Sequence, residues 1–293
     1  MRAREPDADG LVHLDGAKLH WEVFGDGQPT LLLLPTWTVI HSRFWKAQVP
    51  YLARHFRVVT YDGPGNGRSD RPEDPGPYGY EAEGRAAAAV LDATGTGRAV
   101  VVSLSMASQW ALWLTGNRPD RVLGNVFIGP TLELGQEWED TGHPFDEPYT
   151  STEGWAKYNR YYWLDHYRDF LEFFFSQCFT EPHSTKQIED AVGWGLETSP
   201  EVLLAEVAAP CPDEATLRAW CGRARVPTLV IHGDRDRISP MRGGELLAEA
   251  TGGALVIVGG AGHIPMARDP VKVNLLIREF AELAGSRAAR RWP

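Results

Sequence analysis

From Leu11 to Phe24 apolar and polar residues alternate loosely, and the pattern breaks once, at Asp15-Gly16. Alternation interrupted by a turn dipeptide predicts an opening β-hairpin. The next apolar stretches differ. Thr30–Leu34, Arg57–Tyr61, Ala99–Ser103, Val122–Ile128, Val226–His232 and Ala254–Val258 are short runs with little polar interruption. Such runs fit strands covered on both faces, as in a parallel sheet. Helical spacing fills the intervals at Trp45–Arg54, Tyr80–Thr94 (closed by Gly95), Ala107–Gly116, Gly243–Ala250 and Val271–Leu283. Strands alternating with helices predict the α/β class, with a mostly parallel central sheet flanked by helices.

The alternation stops over residues 131–222, where helical spacing continues without a buried strand run. That interval carries about half of the chain's aromatic residues. It is expected to be a helical, aromatic-rich lid inserted into a core made of residues 1–130 and 223–293. Most of its aromatics should pack the lid onto the core, and a few should face a cleft. Tyr162, Trp163 and Trp138 are the candidates for that role, with His41 at the cleft mouth.

Charge narrows the choice of partners. With 29 basic and 39 acidic residues the formal net charge is -10, a field that repels a phosphate backbone. Nucleic acid is therefore not expected as a partner. The three cysteines show no paired or metal-ligand spacing, so neither a disulfide framework nor a structural zinc is expected. No apolar stretch reaches the roughly 18 residues of a membrane span, and the charged start lacks a signal-peptide core. The expected setting is cytoplasmic. The expected partner is a small-molecule substrate, with no cofactor, metal or membrane, and a homodimer is compatible with these features.

The chemistry concentrates where strands end. In Val100-Val101-Val102-Ser103-Leu104-Ser105-Met106-Ala107 a buried strand runs into a sharp turn and then a helix. A serine on such a turn exposes its hydroxyl above the sheet, and the flanking positions two before and two after must be small. Ser103 and Ala107 meet that requirement for Ser105. The register with Ser103 as nucleophile puts the branched Val101 where a small residue is needed. Gly259-Gly260-Ala261-Gly262-His263 follows the last strand, and a histidine there can reach the top of the sheet as general base.

These features resemble the α/β-hydrolase fold family over about residues 11–285. The blocks Pro35-Thr36-Trp37 to Phe44-Trp45 and Tyr61-Asp62-Gly63-Pro64-Gly65-Asn66-Gly67-Arg68-Ser69-Asp70 resemble its lid-bearing serine hydrolase branch. The chain is also similar to hydrolase domains found beside actinobacterial nucleotide cyclases. The resemblance implies an acid loop of the form G-x-x-D-x-x-x-P, matched by Gly233, Asp236 and Pro240. Asp236 then orients His263, Asp234 is structural, and Glu133 after the preceding strand is the alternative acid. The order Ser105, Asp236, His263 is the order of this fold. The resemblance also implies an oxyanion hole from the backbone N–H groups of Met106 and Trp37, although Pro35-Thr36 stand where the family has His-Gly.

The resulting expectation is a serine hydrolase that cleaves an ester, thioester or lactone of an apolar or aromatic small molecule through an acyl-enzyme. Two alternatives remain open. The same triad can run acyl transfer, cyclisation, or C–C hydrolysis or lyase chemistry, and the fold can serve as a ligand-binding receptor with a vestigial site.

Overall fold

In the computed structural model the described residues are 4–137 and 142–289. Two strands open the chain, β1 (Ala8–Leu14) and β2 (Ala17–Phe24), joined at Asp15-Gly16. Both turn residues have positive φ, 50° and 83°, the combination that a tight hairpin with right-handed twist requires. Six parallel strands follow: β3 (Thr30–Leu33), β4 (Arg57–Tyr61), β5 (Ala99–Leu104), β6 (Val122–Ile128), β7 (Thr228–Gly233) and β8 (Ala254–Val258). The sheet order is β1-β2-β4-β3-β5-β6-β7-β8, with β2 antiparallel to β4. This mostly parallel sheet with flanking helices is the α/β-hydrolase fold.

The helices are α1 (Val49–Leu52), α2 (Tyr80–Ala93), α3 (Ala107–Asn117), α4 (Arg160–Cys178), α5 (Thr185–Gly195), α6 (Pro200–Val207), α7 (Glu214–Arg223), α8 (Met241–Thr251), α9 (Pro265–Arg268) and α10 (Pro270–Ala289). Burial on both faces explains the unbroken apolar runs. Leu31, Leu33, Val100, Val102, Val126 and Ile231 join one core cluster, with Val273 and Ile277 of α10. The alternating residues Leu32, Val59, Val101, Phe127 and Val230 join the other, with Val90 and Leu91 of α2, Trp110 of α3 and Leu247 of α8.

Two expectations from periodicity shift at prolines. The single helix expected over Trp45–Arg54 is a 3-10 turn, Ser42–Ala47, followed by the short α1. Pro50 has no N–H to continue a helical ladder back into that turn. β7 starts at Thr228 rather than Val226 because Pro227 cannot donate to the sheet.

Between β6 and β7 the described chain contains helices and no strand. The aromatic faces of α4, including Trp163, Phe170 and Phe175, pack into the same cluster as the underside of the sheet. Helix α4 is kinked at His166, whose φ of -139° is not helical. Helix α7 behaves differently: Leu217, Trp220 and Cys221 pack with α3 and α8 on the opposite face. Of the helices in this interval, α4 and α6 contribute Phe174, Glu206 and Val207 to the wall of a cavity that Ser105 also lines. Among the described residues no helix is long and apolar enough to cross a membrane.

Candidate active site

Strand β5 ends at Leu104 and α3 begins at Ala107, so the chain must reverse within two residues. Ser105 makes the reversal with φ of 56°, a left-handed conformation that costs a residue with a side chain about 1–2 kcal/mol. Hydrogen bonds hold it there. Its N–H donates to the Ile128 carbonyl at 2.9 Å, and its carbonyl accepts from Ser108 N–H at 3.1 Å and Thr131 N–H at 3.2 Å. Ser103 and Ala107 are completely buried against the turn, which leaves no room for larger side chains. Ser103 faces into the sheet, its hydroxyl 3.5 Å from the Val126 carbonyl. Of the two serines only Ser105 lines a cavity.

The loops after β7 and β8 bring Asp236 and His263 together. His263 Nδ1 lies 2.8 Å from Asp236 Oδ2. Asp236 Oδ1 accepts the backbone N–H groups of Ile238 and Ser239 at 2.8 and 2.9 Å. A second imidazole, completely buried, faces the same carboxylate: His232 Nε2 is 3.2 Å from Asp236 Oδ2 and 3.1 Å from the Ser239 carbonyl. Burial alone would raise the Asp236 carboxyl, but the His263 charge and the hydrogen bonds from both imidazoles hold it well below the usual carboxylate range. With Asp236 ionised, His263 donates through Nδ1 and presents Nε2 as an acceptor.

Two glycines let His263 approach. Gly129, just past β6, has φ of +48°, and a Cβ there would stand 3.1 Å from His263 Nδ1. A Cβ on Gly262 would lie 2.5 Å from the Cys178 carbonyl, an impossible contact. That carbonyl accepts the His263 N–H at 2.9 Å, so the end of α4 anchors the His263 loop. Asp234 accepts the Gly260 N–H through Oδ1 at 2.6 Å and ties the two loops together. Glu133 is exposed and takes no part in the pair.

The Ser105 hydroxyl meets another hydroxyl. Ser105 Oγ lies 3.0 Å from Thr131 Oγ1, which lies 2.6 Å from Ser239 Oγ. Ser239 Oγ in turn donates to the Pro130 carbonyl at 3.1 Å. Each hydroxyl has one proton, so the chain has one sense: Ser105 donates to Thr131, Thr131 to Ser239, and Ser239 to Pro130. No hydrogen bond joins Ser105 to His263 among the described residues. Thr131, Ser239 and His232 were not among the expected site residues. A histidine closing an otherwise apolar strand run was the one visible signal for His232; isolated hydroxyls in loops give none.

The backbone N–H groups of Trp37 and Met106 have no hydrogen-bond partner among the described residues, and both residues share the cavity wall with Ser105. The Pro35-Thr36 departure has a counterpart in the structure. Thr36 is buried, and its hydroxyl donates to the Leu104 carbonyl at 2.8 Å, which ties the Trp37 loop to the turn that carries Ser105.

The cavity over Ser105 has a volume of about 1100 Å³. Trp37, Trp155, Tyr158 and Phe174 give it an aromatic side, and Gln109, Thr131 and Glu206 are polar members of its wall. The aromatic and histidine positions expected there are elsewhere. Trp163 is completely buried, with ring centroids 4.7 Å from Phe170 and 5.1 Å from Phe145 and Tyr158. Tyr162 turns away and donates to Asp169 at 2.6 Å. His41 caps the 3-10 turn and sits 3.4 Å from Glu197, buried beside Trp194. Trp138 lies outside the described residues.

Comparison with known proteins agrees with this fold. A family model described as alpha/beta hydrolase fold matches residues 29–270. The chain is 23% identical over 271 residues to 3-oxoadipate enol-lactonase 2 of Acinetobacter baylyi, covering 91% of this chain and 93% of that one. It is 24% identical over 269 residues to the pimeloyl-[acyl-carrier protein] methyl ester esterase of Yersinia enterocolitica, covering 90% and 98%. Among solved structures, the enol-lactonase from Burkholderia xenovorans superposes with a TM-score of 0.74 at 22% identity, over 92% of this chain and 99% of that one.

Proposed function

The chain belongs to the α/β-hydrolase fold family, and from that premise we propose that it is a serine hydrolase opening an ester or lactone through an acyl-enzyme. One observation carries the reading. A left-handed serine at the head of a helix lies at the same sheet edge as an imidazole whose Nδ1 is committed to a buried aspartate.

In this mechanism Ser105 leaves Thr131 by rotation about its Cα–Cβ bond and gives its proton to His263 Nε2 as Oγ attacks the carbonyl carbon. Asp236 fixes the imidazole tautomer and stabilises the imidazolium. The negative charge on the carbonyl oxygen is met by the Trp37 and Met106 N–H groups, each donor contributing about 3–4 kcal/mol. The tetrahedral intermediate collapses to the acyl-enzyme as His263 protonates the leaving oxygen. Water, deprotonated by His263, then releases the acid and restores Ser105. Helices α4 to α6 serve as the lid. The aromatic side of the cavity favours an apolar or aromatic substrate, and the names of the enol-lactonase and methyl ester esterase relatives favour carboxylic esters and lactones.

Labelling with a fluorophosphonate, read by intact mass and peptide mapping, tests this directly. The expected result is one adduct, on Ser105, and none on Ser105→Ala, which also loses about 10⁴-fold or more of kcat on aryl esters. Folded protein that takes up no label, or a Ser105→Ala variant with undiminished turnover, would sink the reading.

A further inference from the structure

Among the described residues Glu206 is the one acid in the cavity wall, outside the loops of Asp236 and His263, whose side chain is almost completely buried. It comes from α6, where it follows Val202 and Leu203 on the buried face. Its Oε2 accepts two hydrogen bonds from one residue: the Thr38 hydroxyl at 2.6 Å and the Thr38 N–H at 3.1 Å. Its Oε1 is buried and has no partner among the described residues. A buried carboxyl oxygen without a partner is costly, and in native structures such an atom generally has an unseen one. Glu83 also has an unpartnered buried oxygen, but it is not part of the cavity wall.

Resting on the hydrolase reading, we propose that Glu206 is the specificity-determining residue of this cavity, and that its Oε1 donates a hydrogen bond to a neutral acceptor oxygen of the substrate. That acceptor is a ketone, amide or ring-ether oxygen separate from the scissile carbonyl. Oε2 accepts two hydrogen bonds, so a proton on the carboxyl resides on Oε1, the oxygen without a partner among the described residues. Burial pushes the Glu206 carboxyl up to about 8, although the Thr38 hydrogen bonds pull it down. The titratable groups that respond to its charge are all acids, namely Glu83, Tyr78, Tyr158, Tyr167 and Cys211. None of them favours the anion. Near neutral pH the group is therefore a neutral donor. It suits an oxygen acceptor, whereas an ionised carboxylate would suit an ammonium group.

The test compares esters matched in length. 4-Nitrophenyl 5-oxohexanoate is set against 4-nitrophenyl hexanoate, and 4-acetylphenyl hexanoate against 4-ethylphenyl hexanoate, so that the acceptor lies on either side of the ester. The readout is the kcat/KM ratio of the oxo to the plain member in each variant, compared with the same ratio in wild type. In at least one pair, Glu206→Leu should lower that ratio about tenfold. Glu206→Gln, which keeps a neutral donor, should retain it. The wild-type ratio should fall as pH rises through 8 while the Glu206→Gln ratio stays level. A Glu206→Leu variant that slows both members equally assigns Glu206 a purely structural role and overturns the proposal. If that variant does not fold, identical level pH profiles for wild type and Glu206→Gln overturn it as well. Calorimetric affinities of the Ser105→Ala protein for each pair, with and without Glu206→Leu, repeat the comparison without turnover. They separate a failure of this inference from a failure of the hydrolase reading: ammonium-bearing ligands preferred over oxo ligands there would also refute it.

Discussion

Two buried carboxyls stand in one cavity wall and differ in charge. Asp236, from the loop after β7, has both oxygens engaged: two backbone N–H groups on Oδ1 and two imidazoles facing Oδ2. Glu206, on α6, has one oxygen held by Thr38 and the other without a partner. Burial penalises both anions, yet Asp236 stays ionised while Glu206 is pushed up to about 8. The difference lies in the supply of donors. A loop leaving a sheet edge turns several N–H groups inward, whereas the N–H groups within a helix are already used by the helix itself. The sheet edge can therefore hold a fixed anion, whereas burial on the helical wall pushes the Glu206 carboxyl up and leaves one of its oxygens without a partner among the described residues.

Removing the anion on the fully partnered side should have the largest effect. Asp236→Asn keeps the size of the side chain but favours the wrong imidazole tautomer, and kcat should fall about 10⁴-fold on an aryl ester. Steady-state kinetics with far-UV dichroism as a folding control checks this. A loss below about tenfold would mean that His232 or the loop backbone, not the Asp236 charge, orients the base.

On the other side the expected change is in stability. The native state holds a proton on Glu206 that the unfolded chain releases above its ordinary value of 4.5. Stability contributed by this group is thus complete below that value and falls as pH rises towards 8, beyond which the penalty is constant. Glu206→Gln cannot ionise and should be more stable than wild type, by an amount that grows across that window to a few kcal/mol. Asp236 has the opposite sign: its contribution is present above its ordinary value of 3.8 and is lost only as pH falls further. Urea unfolding of wild type and Glu206→Gln at several pH values measures the difference. A pH-independent gap would mean that Glu206 is ionised in the folded protein.

A smaller effect is expected at Thr36, which joins the Trp37 loop to the nucleophile turn. Thr36→Val retains the shape and loses the hydrogen bond. We expect kcat to fall about tenfold with KM little changed, because a loosened loop weakens a donor needed only in the transition state. An unchanged kcat with a lowered melting temperature would limit the hydroxyl to holding the fold.

Much of this organisation was legible in the chain. The unbroken apolar runs at Leu31–Leu34, Val100–Val102 and Thr228–Ile231 marked strands covered on both faces, and a glycine-rich loop after the last strand marked His263; Asp236 was marked by its match to the acid loop of the family that the chain resembles. Pairing those two residues rested on that resemblance, since the order of the loops alone left Asp234 and Glu133 as alternatives. The cavity wall was less legible. Helix α4 carries aromatics around much of its circumference and is kinked at His166, so periodicity could not separate Tyr162 and Trp163 from Phe174. Glu206 did leave a signal, an acid in register with Val202 and Leu203 on an otherwise apolar face. Thr131 and Ser239 left none, because their roles depend on contacts 26 and 108 residues away.

Thr131 allows the smallest and most discriminating test of the polar side. In the structure the single proton of Ser105 is directed to Thr131 Oγ1, and the proposed mechanism requires it to be directed to His263. The two acceptors compete. A hydrogen bond between neutral hydroxyls is worth about 1 kcal/mol net, equivalent to roughly a fivefold bias towards the resting rotamer. Thr131→Val removes that acceptor while leaving the backbone N–H that clamps Ser105. The fluorophosphonate labelling rate should then rise several-fold, with Ser239 free to keep its bond to Pro130. If Thr131 instead aligned Ser105 for attack, the same substitution would slow labelling, and the hydroxyl chain would belong to the working state of the enzyme rather than to its rest.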